Sequence, residues 1–182
     1  MRIRFALATG ALSVAMSLLL APRTAAAQGS EATGLGVGVQ AMLVSDLEVE
    51  TVPGTFVSFP TIAGPSVVYQ TPKFHIDGIL AYGDVEDFTT LAIGGRFYYE
   101  LHSTQASDLS IGGGLGLINI SVGDESDTSF QLEAGGKIRA FLAPSVAINA
   151  ALGLGYITND DFDYVIFGGQ LIGSVGLTYF FF

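Results

Sequence analysis

Six charged residues could form a buried electrostatic site, because they share one face of alternating segments. They are three acids and three bases, namely Asp77, Arg96, Glu100, Glu133, Lys137 and Arg139. Inside a protein each of these charges must pair with another or with water, since an isolated buried charge is costly. Two uses of the set are open: a neutralised ion-pair network that blocks the interior, or a gate whose charges exchange partners and open a narrow water path.

Two acidic clusters offer the hard oxygen ligands that calcium prefers. They are Asp124, Glu125 and Asp127, and Asp160, Asp161 and Asp163. Neither has the glycine at position six and the closing glutamate of an EF-hand loop. Solvated surface loops explain them at least as well. We therefore predict no metal centre and keep both clusters only as weak candidates for divalent-ion binding.

The two histidines do not form a recognisable catalytic set. His75 shares the charged face with Asp77, and His102 precedes Ser103 in a predicted turn. A nucleophilic site needs a base within reach of the nucleophile and a third group that orients the base, and no such partner can be placed. The glycine-rich stretch 111–116 continues as a strand instead of leading into a helix, so it is not a phosphate loop. We predict no enzyme activity and no cofactor.

The elements that must position these residues are β-strands. Successive side chains of a strand point to opposite faces, so apolar residues at every second position indicate strands with one apolar face. Two prolines, Pro60 and Pro65, restrict the second strand, because proline suits only strand ends, edges and bulges. Eight segments follow the pattern: residues 34–44, 65–70, 73–83, 89–101, 108–122, 128–142, 145–158 and 163–182.

The two faces of these segments differ completely in charge. One face is apolar throughout and includes Leu35, Val37, Val39, Leu43, Phe74, Ile76, Leu80, Tyr82, Leu91, Ile93, Phe97, Tyr99, Leu109, Ile111, Leu115, Leu117, Phe130, Leu132, Ile138, Val146, Ile148, Leu152, Leu154 and Tyr156. The other face carries every charge predicted within a strand, together with Gln40, His75, Tyr98, Asn149 and many glycines.

This sorting favours a transmembrane barrel over a soluble one. Charged residues make up 13% of the chain, against about 25% in ordinary soluble domains. A lipid-facing Arg or Lys costs about 2 to 4 kcal/mol at mid-membrane, whereas a soluble lipocalin-like barrel would be coated with charges. No segment after the N-terminal region is apolar enough for a spanning helix, which leaves a closed barrel. We predict an all-β fold, an eight-stranded antiparallel up-and-down transmembrane β-barrel.

The N-terminal residues have the plan of a secretory signal peptide. Arg2 and Arg4 precede an apolar stretch, and the small residues Ala25 and Ala27 stand before Gln28 as in an Ala-x-Ala cleavage site. We predict a signal peptide at residues 1–27 and a barrel domain at residues 28–182. The chain has no cysteine, so neither a disulfide nor a cysteine-linked lipid anchor is available.

Most acidic residues lie in alternate connections between the strands. The clusters above and the acids at 46–50 and 84–87 occupy four connections without a Lys or Arg, while the intervening connections are short. Outer-membrane barrels have short periplasmic turns and longer outer loops, so we expect the acidic loops to face outward. The net charge of −10 argues against nucleic acid as a partner, because both would be negatively charged. The same charge would repel the phosphates of lipopolysaccharide, and divalent cations could bridge these phosphates to the loop carboxylates.

In this pattern the chain resembles the small eight-stranded outer-membrane barrels of the OmpA and OmpX type, and the resemblance covers essentially residues 28–182. It also rests on the ending Val175, Leu177, Tyr179, Phe181 and Phe182. In that family an aromatic C-terminal strand is the signal that the barrel-assembly machinery reads. The resemblance implies that role for these residues, with either Phe181 or Phe182 as the recognised aromatic.

The sequence therefore indicates an integral protein of a Gram-negative outer membrane without enzyme activity. Its distinctive chemistry lies in the four acidic loops, which favours a structural or surface-interaction role. A narrow passive channel gated by the inner charges is the main alternative, and a lipid-A-modifying enzyme is a third.

Overall fold

The computed structural model of the chain describes residues 33–42, 48–52, 55–58, 63–85, 88–159, 163–167 and 174–181. Within these ranges, no helix has the length and apolarity needed to cross a membrane. The predicted signal peptide lies outside the described residues, and so do Leu43, Asp160, Asp161 and Phe182.

Most of the described residues belong to β-strands. The strands are β1 (Gly34–Met42), β2 (Glu48–Val52), β3 (Thr55–Ser58), β4 (Ala63–Gln70), β5 (Phe74–Val85), β6 (Phe88–Ser103), β7 (Ser107–Val122), β8 (Glu125–Ala143), β9 (Val146–Thr158), β10 (Asp163–Phe167) and β11 (Ser174–Phe181).

All of these strands except β2 and β3 form one antiparallel sheet that closes on itself. β1 pairs with β4 on one side and with β11 on the other, and β4 to β9 pair in chain order. β10 and β11 both lie beside β9 and together make one strand of the wall. The wall thus has eight strands, which confirms the predicted up-and-down barrel.

The two ends of the barrel differ in their connections. At one end, the turn end, the strands are joined through residues 71–73, 104–106 and 144–145. Thr71 fixes the first of these turns, since its hydroxyl accepts a hydrogen bond from the Phe74 amide at 3.1 Å. At the opposite end, the loop end, Gly123 and Asp124 join β7 to β8. Gly123 has a φ of 59°, which glycine adopts without strain.

The apolar face of the wall points outward and the charged face points inward, as the alternation predicts. Leu35, Ile93 and Leu115 are 53%, 56% and 57% exposed, whereas the six predicted interior charges are buried. Tyr69, Phe74, Tyr99, Tyr179 and Phe181 lie toward the turn end, and Tyr82 and Tyr156 lie toward the loop end. Outer-membrane barrels carry girdles of aromatic residues at these two levels.

Glycine pairs permit the sharp curvature that an eight-stranded wall requires. Gly135 of β8 lies directly opposite Gly153 of β9. A Cβ on Gly135 would lie 2.2 Å from the Leu152 carbonyl oxygen, and one on Gly153 would lie 2.2 Å from the Ala134 carbonyl oxygen. The two strands could not approach each other this closely with larger residues.

Two features depart from the strands that the sequence predicts. The connection between β1 and β4 contains a hairpin of its own, β2 and β3. In addition, the predicted last strand is two paired segments with different registers. Phe167 lies opposite Leu154, but Val175 lies opposite Ala150. The chain therefore advances eight residues while β9 advances four, and the ladder cannot be continuous.

Candidate functional site in the barrel interior

The interior of the barrel is filled by polar side chains that the inward faces of the strands supply. Every second residue of a strand points inward, so groups far apart in sequence meet across the lumen. The buried polar and charged residues are Gln40, Ser66, Gln70, His75, Asp77, Thr90, Arg96, Glu100, Asp108, Ser110, Ser129, Gln131, Glu133, Lys137, Arg139, Asn149, Ser174 and Thr178.

Arg139 organises the turn end of the lumen. Its Nη2 atom lies 2.9 Å from Glu100 Oε1 and 2.9 Å from Asp108 Oδ2, and its Nε atom donates to both Asp108 oxygens at 3.0 Å. Nη1 donates to Gln70 Oε1 at 2.9 Å. The guanidinium carbon also lies 5.7 Å from the Phe141 ring centroid and 6.0 Å from that of Phe180, within cation–π range.

A second ion pair joins Lys137 of β8 to Asp77 of β5 across the lumen. The Lys137 ammonium lies 5.2 Å from the centre of the Tyr98 ring. His75 stacks on the same ring, with centroids 5.0 Å apart. All four residues are buried.

The third ion pair lies nearer the loop end. Arg96 Nε is 2.8 Å from Glu133 Oε1, and Arg96 Nη1 donates to Gln40 Oε1 at 3.3 Å and to Ser174 Oγ at 3.1 Å. One arginine thereby links β6 to β8, β1 and β11. Gly114 makes room for the pair, because a Cβ there would lie 2.8 Å from Arg96 Cγ.

Apolar clusters lie at both ends of this polar core. Toward the loop end, the cluster consists of the buried residues Ala81, Ala92, Ile118 and Ile157. Ile120 is partly buried and packs against them. Toward the turn end the cluster consists of Val68, Phe141, Ala147 and Phe180. Arg139 joins that second cluster to the polar residues Glu100, Asp108 and Gln70. The arrangement can hold charges in fixed pairs, with buried apolar side chains toward each end.

The structure brings all six sequence-predicted interior charges together, and it adds Asp108. Asp108 is the first residue of the predicted strand 108–122 but was not among the six predicted interior charges, although it lies two residues before the inward Ser110. Because residues two positions apart share a face of a strand, this spacing could have placed Asp108 in the interior. With Asp108 included, the described interior has one more carboxylate than cation.

The loop carboxylates are not gathered into a metal centre in the part of the chain that the structure describes. Those residues contain no group of three or more His, Cys, Asp or Glu side chains placed to hold a metal ion. Asp124, Glu125 and Asp127 are exposed around the β7–β8 turn, and the Asn159 amide donates to Asp127. Asp163 lies beyond the Tyr156 girdle, where hydrogen bonds from Thr158 and Tyr156 lower the pKa of its carboxyl group.

The two histidines lie in different surroundings. His75 is fully buried against Tyr98. His102 is exposed at the turn end, because a bulge between Glu100 and His102 shifts the register of β6 against β7. Asp108, the acidic residue on the next strand, points inward and binds Arg139. Ser103 lies opposite Asp108 in the register of β6 and β7, and both oxygens of Asp108 accept hydrogen bonds from Arg139.

The candidate assembly residues lie on the outward face of β11. Leu177, Tyr179 and Phe181 are 47%, 50% and 57% exposed, and Val175 is half-buried on the same face. The rings of Tyr179 and Phe181 meet edge to face at 5.2 Å. Their role in assembly stays a prediction.

No protein-family model matches the chain, and no curated protein matches it. Among solved structures, the N-terminal β-barrel domain of Pseudomonas aeruginosa OprF matches with a TM-score of 0.52 and 13% identity, over 82% of this chain and 100% of that one. Ail, the attachment invasion locus protein of Yersinia pestis, matches with a TM-score of 0.45, 15% identity and coverages of 82% and 97%. Neisserial surface protein A matches with a TM-score of 0.47 and 16% identity, over 82% of this chain and 95% of that one. The OprF match shows that the chain shares the fold of small eight-stranded outer-membrane β-barrels.

Proposed function

We propose that this protein is a non-conducting, non-enzymatic barrel of a Gram-negative outer membrane, with a structural or surface-interaction role at its acidic loop end. The observation that carries the proposal is the filled interior. Arg139, Lys137 and Arg96 each form a buried ion pair across the lumen. An eight-stranded barrel has room only for its own side chains, so fixed pairs at successive levels leave no continuous water path.

The apolar clusters at each end strengthen this proposal. A conducting pore needs polar groups or water along its whole length. Here Ile118 and Ile157 are 2% and 1% exposed toward the loop end, and Phe141 and Phe180 are each 1% exposed toward the turn end. Opening a path would require these side chains to move together with the ion pairs between them.

The loop end offers a surface for interaction above the lipid. Leu117 and Phe130, which face each other on β7 and β8, are the last large apolar outward residues of that hairpin. Pairing continues beyond them to Val122 and Glu125, about 16 Å farther along the strand. Outward polar groups follow, and Asn119 donates to the Thr128 hydroxyl at 2.9 Å. We infer that this part of the wall stands clear of the membrane and carries the acidic turns.

The partners we propose follow from this charge distribution. Lipopolysaccharide phosphates would be repelled by the carboxylates at the loop end unless divalent cations bridge the two. The outward residues Val175 to Phe181 of β11 are the proposed contact for the barrel-assembly machinery. Export and outer-membrane location are likewise part of the proposal.

Single-channel recording tests the proposal directly. Residues 28–182 would be refolded into lipid bilayers, and folding would be verified by the heat-dependent change in gel mobility. We expect a folded barrel that gives no discrete openings. Repeatable openings that change with Arg96→Ala or Lys137→Ala would replace our proposal with the channel gated by inner charges. A change in lipid A on overexpression, lost on His102→Ala, would instead establish an enzyme.

A further inference from the structure

The exposed charges of this barrel are divided between its two ends. Of the Lys and Arg residues in the described part of the chain, Arg96, Lys137 and Arg139 are buried in the lumen, and Lys73 alone is exposed, in a turn at the turn end. The exposed acids of the described residues with defined side chains lie at the loop end: Asp84, Asp124, Glu125, Asp127 and Asp163. The turn end is therefore the only described surface with a positive charge.

The fold places His102 beside this lysine. The Lys73 carbonyl oxygen accepts a hydrogen bond from the Glu100 amide at 2.9 Å, which holds the first turn against β6. His102 follows two residues later, so its Cα lies within about 10 Å of the Lys73 Cα, given a rise of about 3.3 Å per residue. The bulge after Glu100 leaves His102 exposed.

The surroundings of these two residues are those of a membrane interface. Phe74 follows Lys73 directly and stacks on Phe97 at 5.5 Å. Tyr99 and Leu101 are 51% and 58% exposed on the outward wall. Lys73 and His102 are thus exposed residues that adjoin this apolar band in the chain, at the level where a lipid headgroup would meet its acyl chains. Thr71 keeps the lysine's turn rigid through hydrogen bonds with Phe74.

We propose that Lys73 and His102 form a binding site for the phosphate headgroup of an anionic phospholipid. The ammonium supplies charge attraction and the imidazole donates a hydrogen bond to a phosphate oxygen, while the acyl chains lie along Tyr99 and Leu101. In a membrane whose two leaflets differ, this site holds the turn end in the phospholipid leaflet. The inference rests on the proposed membrane location, but not on whether the lumen conducts.

Lipid competition tests the site. The refolded barrel would be equilibrated with equal amounts of phosphatidylglycerol and phosphatidylcholine, and the retained lipids would be counted by native mass spectrometry. We expect a preference for phosphatidylglycerol of roughly fivefold, the size typical of one lysine beside an anionic surface. Lys73→Gln with His102→Gln should remove the preference, and Lys73→Arg should keep it. Gln105→Ala, at the neighbouring exposed turn, is the matched control and should behave like the parent chain.

Three results would overturn the site. Equal retention of the two lipids by the parent chain would show that no anionic lipid is selected. An unchanged preference in the double variant would place the selectivity elsewhere. Displacement of phosphatidylglycerol by excess inorganic phosphate would identify a free-phosphate site in place of a lipid site. None of these results depends on conductance, so a failure here is distinct from a failure of the proposed function.

Discussion

Glu100 and Asp108 reach the same nitrogen of Arg139 from neighbouring strands, each at 2.9 Å. One guanidinium therefore forms ion pairs with two carboxylates in a buried site. The two carboxylates repel each other there, because they carry the same charge. Their contacts are unequal. Asp108 also accepts from Arg139 Nε through both of its oxygens, whereas only one Glu100 oxygen contacts the arginine.

Replacing Glu100 with glutamine should be nearly neutral or stabilising, because it removes the repulsion and leaves Arg139 fully paired with Asp108. Asp108→Asn changes the carboxylate that makes more contacts with Arg139 and should cost about 1 to 3 kcal/mol. The free energy of unfolding in urea, measured on the refolded barrel in lipid, distinguishes the two. An equal loss in both variants would show that the two carboxylates are equivalent.

Breaking the Arg96–Glu133 pair should be strongly destabilising. Arg96→Met leaves Glu133 as a buried charge without its cation, which typically costs about 3 to 5 kcal/mol. The double variant Arg96→Met with Glu133→Leu removes both charges and should recover most of that loss. The free energy of unfolding in urea is measured for four chains: the parent, Arg96→Met, Glu133→Leu and the double variant. If the losses of the two single variants simply add in the double variant, the residues are not coupled.

The sequence predicts the faces of the barrel well, because the period of two depends only on the residue and its nearest neighbours. Ile76 and Ile93 point outward, and Arg96 and Lys137 point inward, as the alternation requires. Asp108 was left out of the interior set because it stands at the first position of its predicted strand, directly beside a turn. The β2–β3 hairpin was missed because the acids at 46–50 were assigned to a connection between strands.

The pairing of the interior charges could not be predicted from the sequence. Lys137 and Asp77 are 60 residues apart, and their contact depends on the stagger between non-adjacent strands as the wall closes. The same holds for the contact of Arg96 with Ser174, which joins the non-adjacent strands β6 and β11 through the lumen. The break in the last strand was also hidden, because the register changes by an even number of residues and the faces are preserved.

Gly114 should not tolerate a side chain. A Cβ at this position would lie 2.6 Å from the Gly95 carbonyl oxygen and 2.9 Å from Glu133 Oε1, so Gly114→Ala should cost about 1 to 3 kcal/mol through overpacking. Gly136→Ala is the matched control, since the nearest atom to its Cβ would be 3.6 Å away. The temperature at which the folded barrel loses its characteristic gel mobility measures the stability of each variant. Equal melting of the two variants would contradict the crowding around Arg96.

Leu115 tests whether the outward face meets lipid. Leu115→Arg places a charge near the middle of the apolar band and should reduce the free energy of unfolding by about 2 to 4 kcal/mol. Ser126→Arg, at the exposed loop end, should change it by less than about 1 kcal/mol. Unfolding in phospholipid vesicles provides the measurement. Similar small effects at both positions would mean that the outward face is not buried in lipid.

The carboxylates at the β7–β8 turn should matter for binding and not for folding. Asp124→Asn, Glu125→Gln and Asp127→Asn together change only exposed side chains, and substitutions of this kind each alter stability by about 0.5 kcal/mol or less. If divalent ions bridge these groups to lipopolysaccharide, a chelator should release lipopolysaccharide from the parent barrel, and the triple variant should retain less of it before chelation. Glu100→Gln, which changes a carboxylate inside the lumen, should leave retention unaltered. Retention of lipopolysaccharide that is insensitive to both the chelator and the triple variant would remove the acidic turn from the proposed interaction surface.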